Sequence, residues 1–94
     1  MLFTFTCLDK EGGLALRLET RPAHLAYLDG HKTRIVFGGP LLDDAGEKPI
    51  GSLLIVDLPD RVAAETFAKN DPYAKAGLFQ SVTIRPVKKV LPQS

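Results

Sequence analysis

The stretch Gly51-Ser52-Leu53-Leu54-Ile55-Val56-Asp57-Leu58 decides the fold, because it is the most apolar part of the chain. Its central run of large aliphatic residues, Leu53 to Val56, does not alternate with polar residues. Such a run is typical of a β-strand that is covered on both faces. It is also far too short to cross a bilayer, which takes about 20 apolar residues in a helix. The stretch therefore predicts an inner strand of a sheet, and we expect no interaction with a membrane.

Three more strands are predicted around this inner strand. In residues 2–8, aromatic or small apolar residues alternate with threonine, and two further strands cover residues 34–37 and 78–87. The segment Gly38-Gly39-Pro40 is expected to end the second strand. Residues 41–49 are largely polar and are predicted to form a hairpin-like loop that leads into the inner strand.

Two helices are predicted from the spacing of the apolar residues. The first runs from Leu14 to about Asp29, is kinked or restarted at Pro22, and ends at Gly30 in the left-handed conformation that a C-terminal glycine often takes. The second covers residues 61–69 and follows Asp60, which caps it. Each helix has a predicted inner face. That face is formed by Leu14, Leu18, Leu25 and Leu28 on the first helix, and by Val62, Ala63 and Phe67 on the second.

The order strand, helix, strand, strand, helix, strand predicts one α+β domain over residues 1–94. Its topology is ferredoxin-like βαββαβ, with a four-stranded antiparallel sheet and both helices on one face. The other face should then alternate with polar residues, but neither residues 53–56 nor residues 35–37 do so. Leaving such side chains in water would forgo about 1.5–3 kcal/mol each. We therefore expect a homodimer in which two open sheet faces pack together.

Composition excludes several classes of function. The net charge is +1 and no long run of lysine or arginine occurs, which argues against binding to nucleic acid or to a membrane surface. The N-terminus has no basic segment or cleavage signature, so we expect a cytoplasmic protein. Metal-ligand spacing and glycine-rich phosphate loops are both missing, so we expect no metal and no cofactor. The single cysteine, Cys7, continues an apolar alternation and is predicted to be a core residue.

The candidate catalytic residue is His24, which lies on the rim of the leucine face of the first helix. Histidine titrates near neutral pH and is well suited to proton transfer. Asp71 is its natural partner, because a carboxylate bonded to one ring nitrogen leaves the other free as a base. Both residues also have a structural alternative. His24 can be a partly buried helix residue with one hydrogen-bond partner, and Asp71 can simply cap the short helical turn that begins at Pro72.

Five further residues are predicted to bind substrate, and each has a structural alternative. Arg21 can attract an anionic group, or it can be an exposed arginine in the first turn of a helix. Gly39 and Pro40 can bring the backbone close to a ligand, or they can merely end a strand. Ser52 can donate a hydrogen bond into the same cavity, or it can be an ordinary residue at a strand end. Tyr73 can line the cavity, or it can pack the short helix.

Several short segments, taken in order, resemble the YciI-like (YCII-related) family: Arg21-Pro22-Ala23-His24-Leu25, Gly39-Pro40, Gly51-Ser52, Asp71-Pro72-Tyr73 and Val87-Lys88-Lys89-Val90. The resemblance covers nearly the whole chain. It implies a dimeric α+β-barrel, related to muconolactone-isomerase-like proteins, with a pocket that holds a His–Asp pair. Matched residue by residue, that pair is His24 and Asp71. The family includes a dehydrochlorinase that acts on a chlorinated hydroxyquinol, which implies proton abstraction and elimination without a cofactor.

The sequence thus predicts a small cofactor-independent enzyme of the lyase or isomerase type. In this hypothesis His24 and Asp71 carry out acid–base chemistry, either proton abstraction with elimination or isomerisation, on a small aromatic or enolisable molecule. The alternative is a non-catalytic dimeric module that binds a small molecule and has a regulatory role.

Overall fold

The computed structural model describes residues 1–93 and shows a four-stranded antiparallel sheet with three helices. Ser94, the last residue of the predicted domain, lies outside the described residues. The strands lie in the order β2-β3-β1-β4, so the ferredoxin-like α+β prediction is confirmed. Along the chain the elements are β1 (Leu2–Asp9), α1 (Leu14–Asp29), β2 (Ile35–Leu42), β3 (Pro49–Asp57), α2 (Arg61–Asn70), α3 (Pro72–Lys75) and β4 (Phe79–Val87).

The core lies between one face of the sheet and the helices. The two central strands, β1 and β3, alternate their side chains, so every second residue points to this face. The buried residues of the two strands are Phe3, Phe5, Cys7, Leu54 and Val56. Ala64 and Phe67 of α2 pack on them, and so do the half-buried Tyr27 and Leu28 of α1. Both long helices therefore cover the same face, as predicted.

The opposite face of the sheet, which we call the open face, carries exposed apolar side chains, and residues 88–92 border a groove on it beside Val36 and Ile55. Val36 and Phe37 of β2 are 58% and 50% exposed. Phe37 lies opposite Ile55 of β3, and on the other side Ile55 lies opposite Thr4 of β1. The open face is therefore apolar along β2 and β3 and more polar along β1.

Helix α1 differs from its prediction in having no restart at Pro22 and no left-handed glycine at Gly30. It runs as one helix through Pro22, with no restart, and Gly30 has a right-handed φ of −66°. The proline is tolerated because Pro22 and Leu18 are both exposed, so water can reach the Leu18 carbonyl that lacks a donor. At 16 residues α1 is the longest helix, and none of the helices among residues 1–93 is long and apolar enough to cross a membrane.

The predicted inner faces of the helices are only partly correct. Leu18 and Leu25 of α1 are 58% and 47% exposed, whereas Arg17 and His24 are buried. The leucine face fails as a core face because a cavity lies between it and strand β2. On α2, Val62 is exposed and Ala64 replaces it in the core.

Strand β2 is longer than predicted. It continues through Gly38-Gly39-Pro40 and ends at Leu42, so the expectation that these residues end the strand is wrong. The proline is accommodated because β2 is an edge strand, where a missing backbone donor leaves no central ladder bond unmade. The extension carries the backbone of residues 38–40 alongside α1, where it borders the cavity.

Cys7 lies on central strand β1 with its side chain in the core. Burial, together with the negative charge of Asp71, raises the pKa of the thiol to about 12. The thiol therefore stays protonated at physiological pH. Its placement agrees with the prediction of a core cysteine.

Gly51 marks the tightest contact between the two central strands. A Cβ atom at this position would overlap the carbonyl oxygen of Cys7 on β1. Gly30 is a contrasting case, because a Cβ atom there would lie 3.4 Å from the nearest atom, the carbonyl oxygen of Tyr27. Its right-handed backbone also suits any residue.

We predict opposite effects for the two glycines on stability. Gly51→Ala should lower the free energy of unfolding by about 1–3 kcal/mol, because the strands must separate to admit the methyl group. Gly30→Ala should leave it unchanged or raise it by up to about 1 kcal/mol, because alanine restricts the unfolded chain. Urea unfolding followed by circular dichroism measures both changes, and equal losses in the two variants would contradict the prediction.

Candidate active site

A cavity of about 360 Å³ lies between helix α1 and edge strand β2, within the size range of small-ligand sites. Helix α1 forms one wall and the Gly38-Gly39-Pro40 segment of β2 forms another. Further lining comes from β3 and α3. The lining residues are Arg17, Leu18, Arg21, His24, Leu25, Leu28, Gly38, Gly39, Pro40, Leu42, Pro49, Ser52 and Tyr73.

The predicted pair, His24 and Asp71, is in direct contact at this cavity. Nδ1 of His24 lies 2.8 Å from Oδ1 of Asp71, although the two residues are 47 positions apart. Their side chains are only 8% and 4% exposed. Because a carboxylate oxygen only accepts, Nδ1 carries the proton, and in the neutral imidazole the lone pair is on Nε2. Nε2 has no hydrogen-bond partner within residues 1–93, and His24 lines the cavity.

Asp71 also caps helix α3, in addition to its contact with His24. The same atom, Oδ1, accepts a hydrogen bond from the backbone nitrogen of Tyr73 at 2.9 Å. Pro72 stands in the first turn of that helix, where its missing donor costs nothing. The cap fixes the orientation of the carboxylate, and the carboxylate then fixes the orientation of the imidazole.

Tyr73 both lines the cavity and packs the site. Its ring stacks on the imidazole of His24, with 4.0 Å between centroids and 20° between planes. The residue is almost completely buried, and its ring meets that of Phe79 edge-on at 5.9 Å. The imidazole is thus held on one side by an aromatic ring and at Nδ1 by a carboxylate.

Two residues that sequence reasoning missed, Asp9 and Arg17, form a buried ion pair beside Ser52. Nε of Arg17 donates to Oδ2 of Asp9 at 2.6 Å, and Nη2 donates to Oδ1 at 2.9 Å. Nη2 also donates to Oγ of Ser52 at 2.9 Å. The guanidinium carbon lies 4.5 Å from the centre of the Tyr73 ring. Arg17 thereby connects β1, β3 and α3.

The charge of Arg17 is secured by Asp9. Burial acts to lower the pKa of the guanidinium, but the hydrogen bond to Asp9 and the charge of that carboxylate outweigh it and raise the pKa above its ordinary value. Two signals in the sequence point to this pair. Arg17 precedes His24 by two helical turns and so shares its face, and Asp9 continues the inward alternation of Phe3, Phe5 and Cys7.

The other predicted substrate-binding residues also lie at the cavity. Arg21 lines it and is exposed, whereas Ser52 is buried. Pro40 and Gly39 border it on the β2 side, but a Cβ atom on Gly39 would point towards Phe37 on the open face. Gly39 therefore offers only backbone to a ligand. Gly38 also lines the cavity, and a Cβ atom there would be crowded, because it would lie 3.0 Å from Leu54 of the core.

Comparisons with known proteins show which proteins this chain is similar to. The YCII-related domain family matches residues 1–88. Protein YciI of Escherichia coli O6:H1 is 36% identical over 97 aligned positions, which cover 96% of this chain and 99% of that protein. Protein YciI of Shigella flexneri gives the same identity and coverage. A Haemophilus influenzae protein without an assigned function is 32% identical, again over 96% of this chain and 99% of its own length.

A solved structure is similar over nearly its whole length. It is the 5-chloro-2-hydroxyhydroquinone dehydrochlorinase TftG from Burkholderia phenoliruptrix AC1100, in complex with 2,5-dihydroxybenzoquinone. The TM-score is 0.90 at 36% sequence identity, and the match covers 94% of each chain. The similarity therefore extends from the sequence to the arrangement of the whole fold.

We predict that two substitutions of Asp71 separate its roles. Asp71→Asn should keep the cap, because asparagine caps helices about as well as aspartate, and its amide oxygen can still accept from Tyr73 and His24. Asp71→Ala loses both hydrogen bonds and should lower the free energy of unfolding by about 1–3 kcal/mol. Urea unfolding of the two variants tests this, and an alanine variant as stable as the asparagine variant would refute it.

Proposed function

This chain belongs to the YCII-related domain family, and from that premise we propose that it is a cytoplasmic enzyme for acid–base chemistry on a small aromatic or enolisable molecule. It needs no cofactor in this proposal. The observation that carries the proposal is the buried contact between His24 and Asp71 at the wall of a cavity. The similarity to TftG, which is named as a dehydrochlorinase, supports a role on small molecules.

In the proposed mechanism His24 is the general base. Asp71 holds the proton on Nδ1, so the lone pair on Nε2 is available to take a proton from an acidic carbon of the substrate. The electron pair of the broken C–H bond then moves in one of two ways. It either passes to a conjugated oxygen to form an enolate, or it forms a double bond while an anion leaves the neighbouring carbon. The first outcome leads to isomerisation when Nε2 of His24 returns the proton to a different carbon, and the second leads to elimination.

The surroundings of the imidazole support this role. Asp71 stabilises the imidazolium that forms when Nε2 accepts the proton, because the carboxylate lies 2.8 Å from Nδ1. The stacked ring of Tyr73 limits rotation of His24. General acid–base catalysis contributes about 10²–10⁴-fold, so the substrate must already carry an activated C–H bond. Phenols, quinones and keto acids meet that condition.

Ser52, Gly39 and Arg21 are proposed to hold the substrate. The hydroxyl oxygen of Ser52 already accepts a hydrogen bond from Arg17, so its own proton is free to be donated into the cavity that it lines. The backbone of Gly39 and the guanidinium of Arg21 border the same space. These groups suit a ligand with at least one oxygen atom near the carbon that loses its proton.

We also propose a homodimer formed through the open face of the sheet. Two apolar side chains of β2, Val36 and Phe37, are more exposed than core residues and lie next to Ile55 of β3. A second copy turned about a twofold axis would cover the open face with the same surface. That packing would recover the free energy otherwise forgone at these side chains.

The dimer is tested by sedimentation. We expect the wild-type chain to sediment as a dimer at micromolar concentration, and Phe37→Lys to weaken the dimer by about tenfold or more, because a charge would be buried. Val62→Lys is the matched control, since Val62 is an exposed apolar residue on α2, away from the open face. A wild-type monomer at this concentration would rule out the dimer.

Turnover is tested with His24→Gln, which keeps a polar side chain beside the buried carboxylate of Asp71. Dehydrochlorination of 5-chloro-2-hydroxyhydroquinone, followed by chloride release, is the first assay, and deuterium exchange into small phenols and keto acids extends it. We expect the variant to lose about 10²–10⁴-fold in rate. His31→Gln is the control, because His31 does not line the cavity.

The outcomes separate the alternatives. Activity in His24→Gln equal to that of the wild type would reject the catalytic role of His24. Binding of these compounds by the wild-type chain without turnover or exchange would favour the regulatory binding module over the enzyme.

A further inference from the structure

Arg17 has donors that the protein does not use. An arginine has five N–H groups. Three of those on Arg17, one on Nε and two on Nη2, donate to Asp9 and Ser52. The two on Nη1 have no hydrogen-bond partner within residues 1–93 by distance and angle, although the nearby Tyr73 hydroxyl interacts with the guanidinium and helps to raise the pKa of Arg17. Every fully buried side-chain nitrogen or oxygen in this part of the chain has a partner, so Nη1 is not fully buried, and the cavity is the open space that Arg17 lines.

Other donors converge on the same space. Ser52 can donate its hydroxyl proton, because its oxygen is occupied as the acceptor from Arg17. Tyr73 also lines the cavity, as Arg17 and Arg21 do, and burial raises the pKa of its hydroxyl, so this group stays protonated. No aspartate or glutamate is among the residues that line the cavity. The cavity thus offers hydrogen-bond donors together with the exposed guanidinium of Arg21, and the Asp9 carboxylate that balances the charge of Arg17 does not line it.

We propose that this cavity binds its substrate as an organic anion, whose oxyanion is held by Nη1 of Arg17 and the hydroxyl of Ser52. This inference rests on the proposed function and specifies the substrate class. A phenolate, an enolate and a carboxylate share the required chemistry. Charge-assisted hydrogen bonds of this kind are the strongest that a neutral-pH site can offer to such a group.

Asp9 is the positioning residue for this anion site. Its two oxygens bind the Nε and Nη2 edge of the guanidinium at 2.6 and 2.9 Å. This bidentate contact leaves the Nη1 side directed away from the carboxylate. The arginine is therefore pre-organised, and a ligand does not have to order a flexible side chain. The oxyanion that Arg17 binds would also receive charge when Nε2 of His24 removes a proton from a conjugated carbon.

The probe for this proposal is 4-nitrophenol, whose phenol and phenolate forms absorb at different wavelengths. We expect the phenolate to bind about tenfold or more tightly than the phenol. Titration of the probe with the wild-type chain should then show that it ionises at a lower pH when bound than when free. Benzoate competition distinguishes a carboxylate site from one that takes only phenolates and enolates. Equal affinity for phenol and phenolate, together with no competition by benzoate, would overturn the proposal.

Variants assign the preference to specific groups. Arg17→Lys keeps a positive charge beside Asp9 but removes Nη1, and Ser52→Ala removes the hydroxyl. Each should reduce the preference for phenolate by about tenfold. Arg34→Lys is the control, because Arg34 is exposed and does not line this cavity. If Arg17→Lys does not fold, Ser52→Ala and Asp9→Asn are measured instead. Asp9→Asn should also reduce the preference for phenolate, because Asp9 positions Arg17. An unchanged preference in the folded variants would refute the assignment.

The test is independent of turnover. His24→Gln should still prefer phenolate, because the anion is bound by other residues. Loss of turnover in that variant with anion binding intact would support both proposals. A wild-type chain that shows no preference for phenolate would reject the anion site. The role of His24 as the base would still be decided by the turnover assay.

Discussion

The contact between Nδ1 of His24 and Oδ1 of Asp71 is the interaction on which the site depends. Both groups are almost completely buried, and a buried polar group without a partner costs about 1–3 kcal/mol. Separating the two side chains therefore costs free energy. The contact joins α1 to the N-terminus of α3, and these two helices pack on each other. It thus holds α1 in a position where the leucine face does not close on β2, and the cavity remains.

A second buried pair repeats this design on the same helix. Arg17 lies two turns before His24, and each meets a carboxylate from another element, Asp9 of β1 and Asp71 before α3. Tyr73 contacts both side chains of α1 and so connects the two pairs. The fully buried side chains of α1, Arg17 and His24, are consequently polar, and only Tyr27 and Leu28 of this helix pack on the core. Hydrogen bonds and charge pairs fix the two buried side chains, and the apolar core is supplied mainly by the strands and α2.

The elements could be predicted because their signals are local. Alternation in residues 2–8, the uninterrupted apolar run in β3 and the caps at Asp60 and Asp71 each depend on neighbours in sequence. The pairing of His24 with Asp71 followed from the residue types and the resemblance to a family. The course of β2 could not be predicted, because a strand tolerates Pro40 only at a sheet edge, and that position is a property of the assembled sheet. The Arg17–Asp9 pair was missed because helical periodicity assigns hydrophobic residues to the inside, whereas here partners from distant segments make a charged side chain the buried one.

The reactivity of the Cys7 thiol reports on unfolding of the sheet. The thiolate is the form that reacts with disulfide reagents, and in the folded chain a pKa of about 12 and burial in central strand β1 both suppress it. When β1 leaves the sheet, the sulfur regains the acidity of a free thiol and becomes accessible. The labelling rate of this solitary sulfhydryl therefore measures how often the whole sheet comes apart, without any engineered probe.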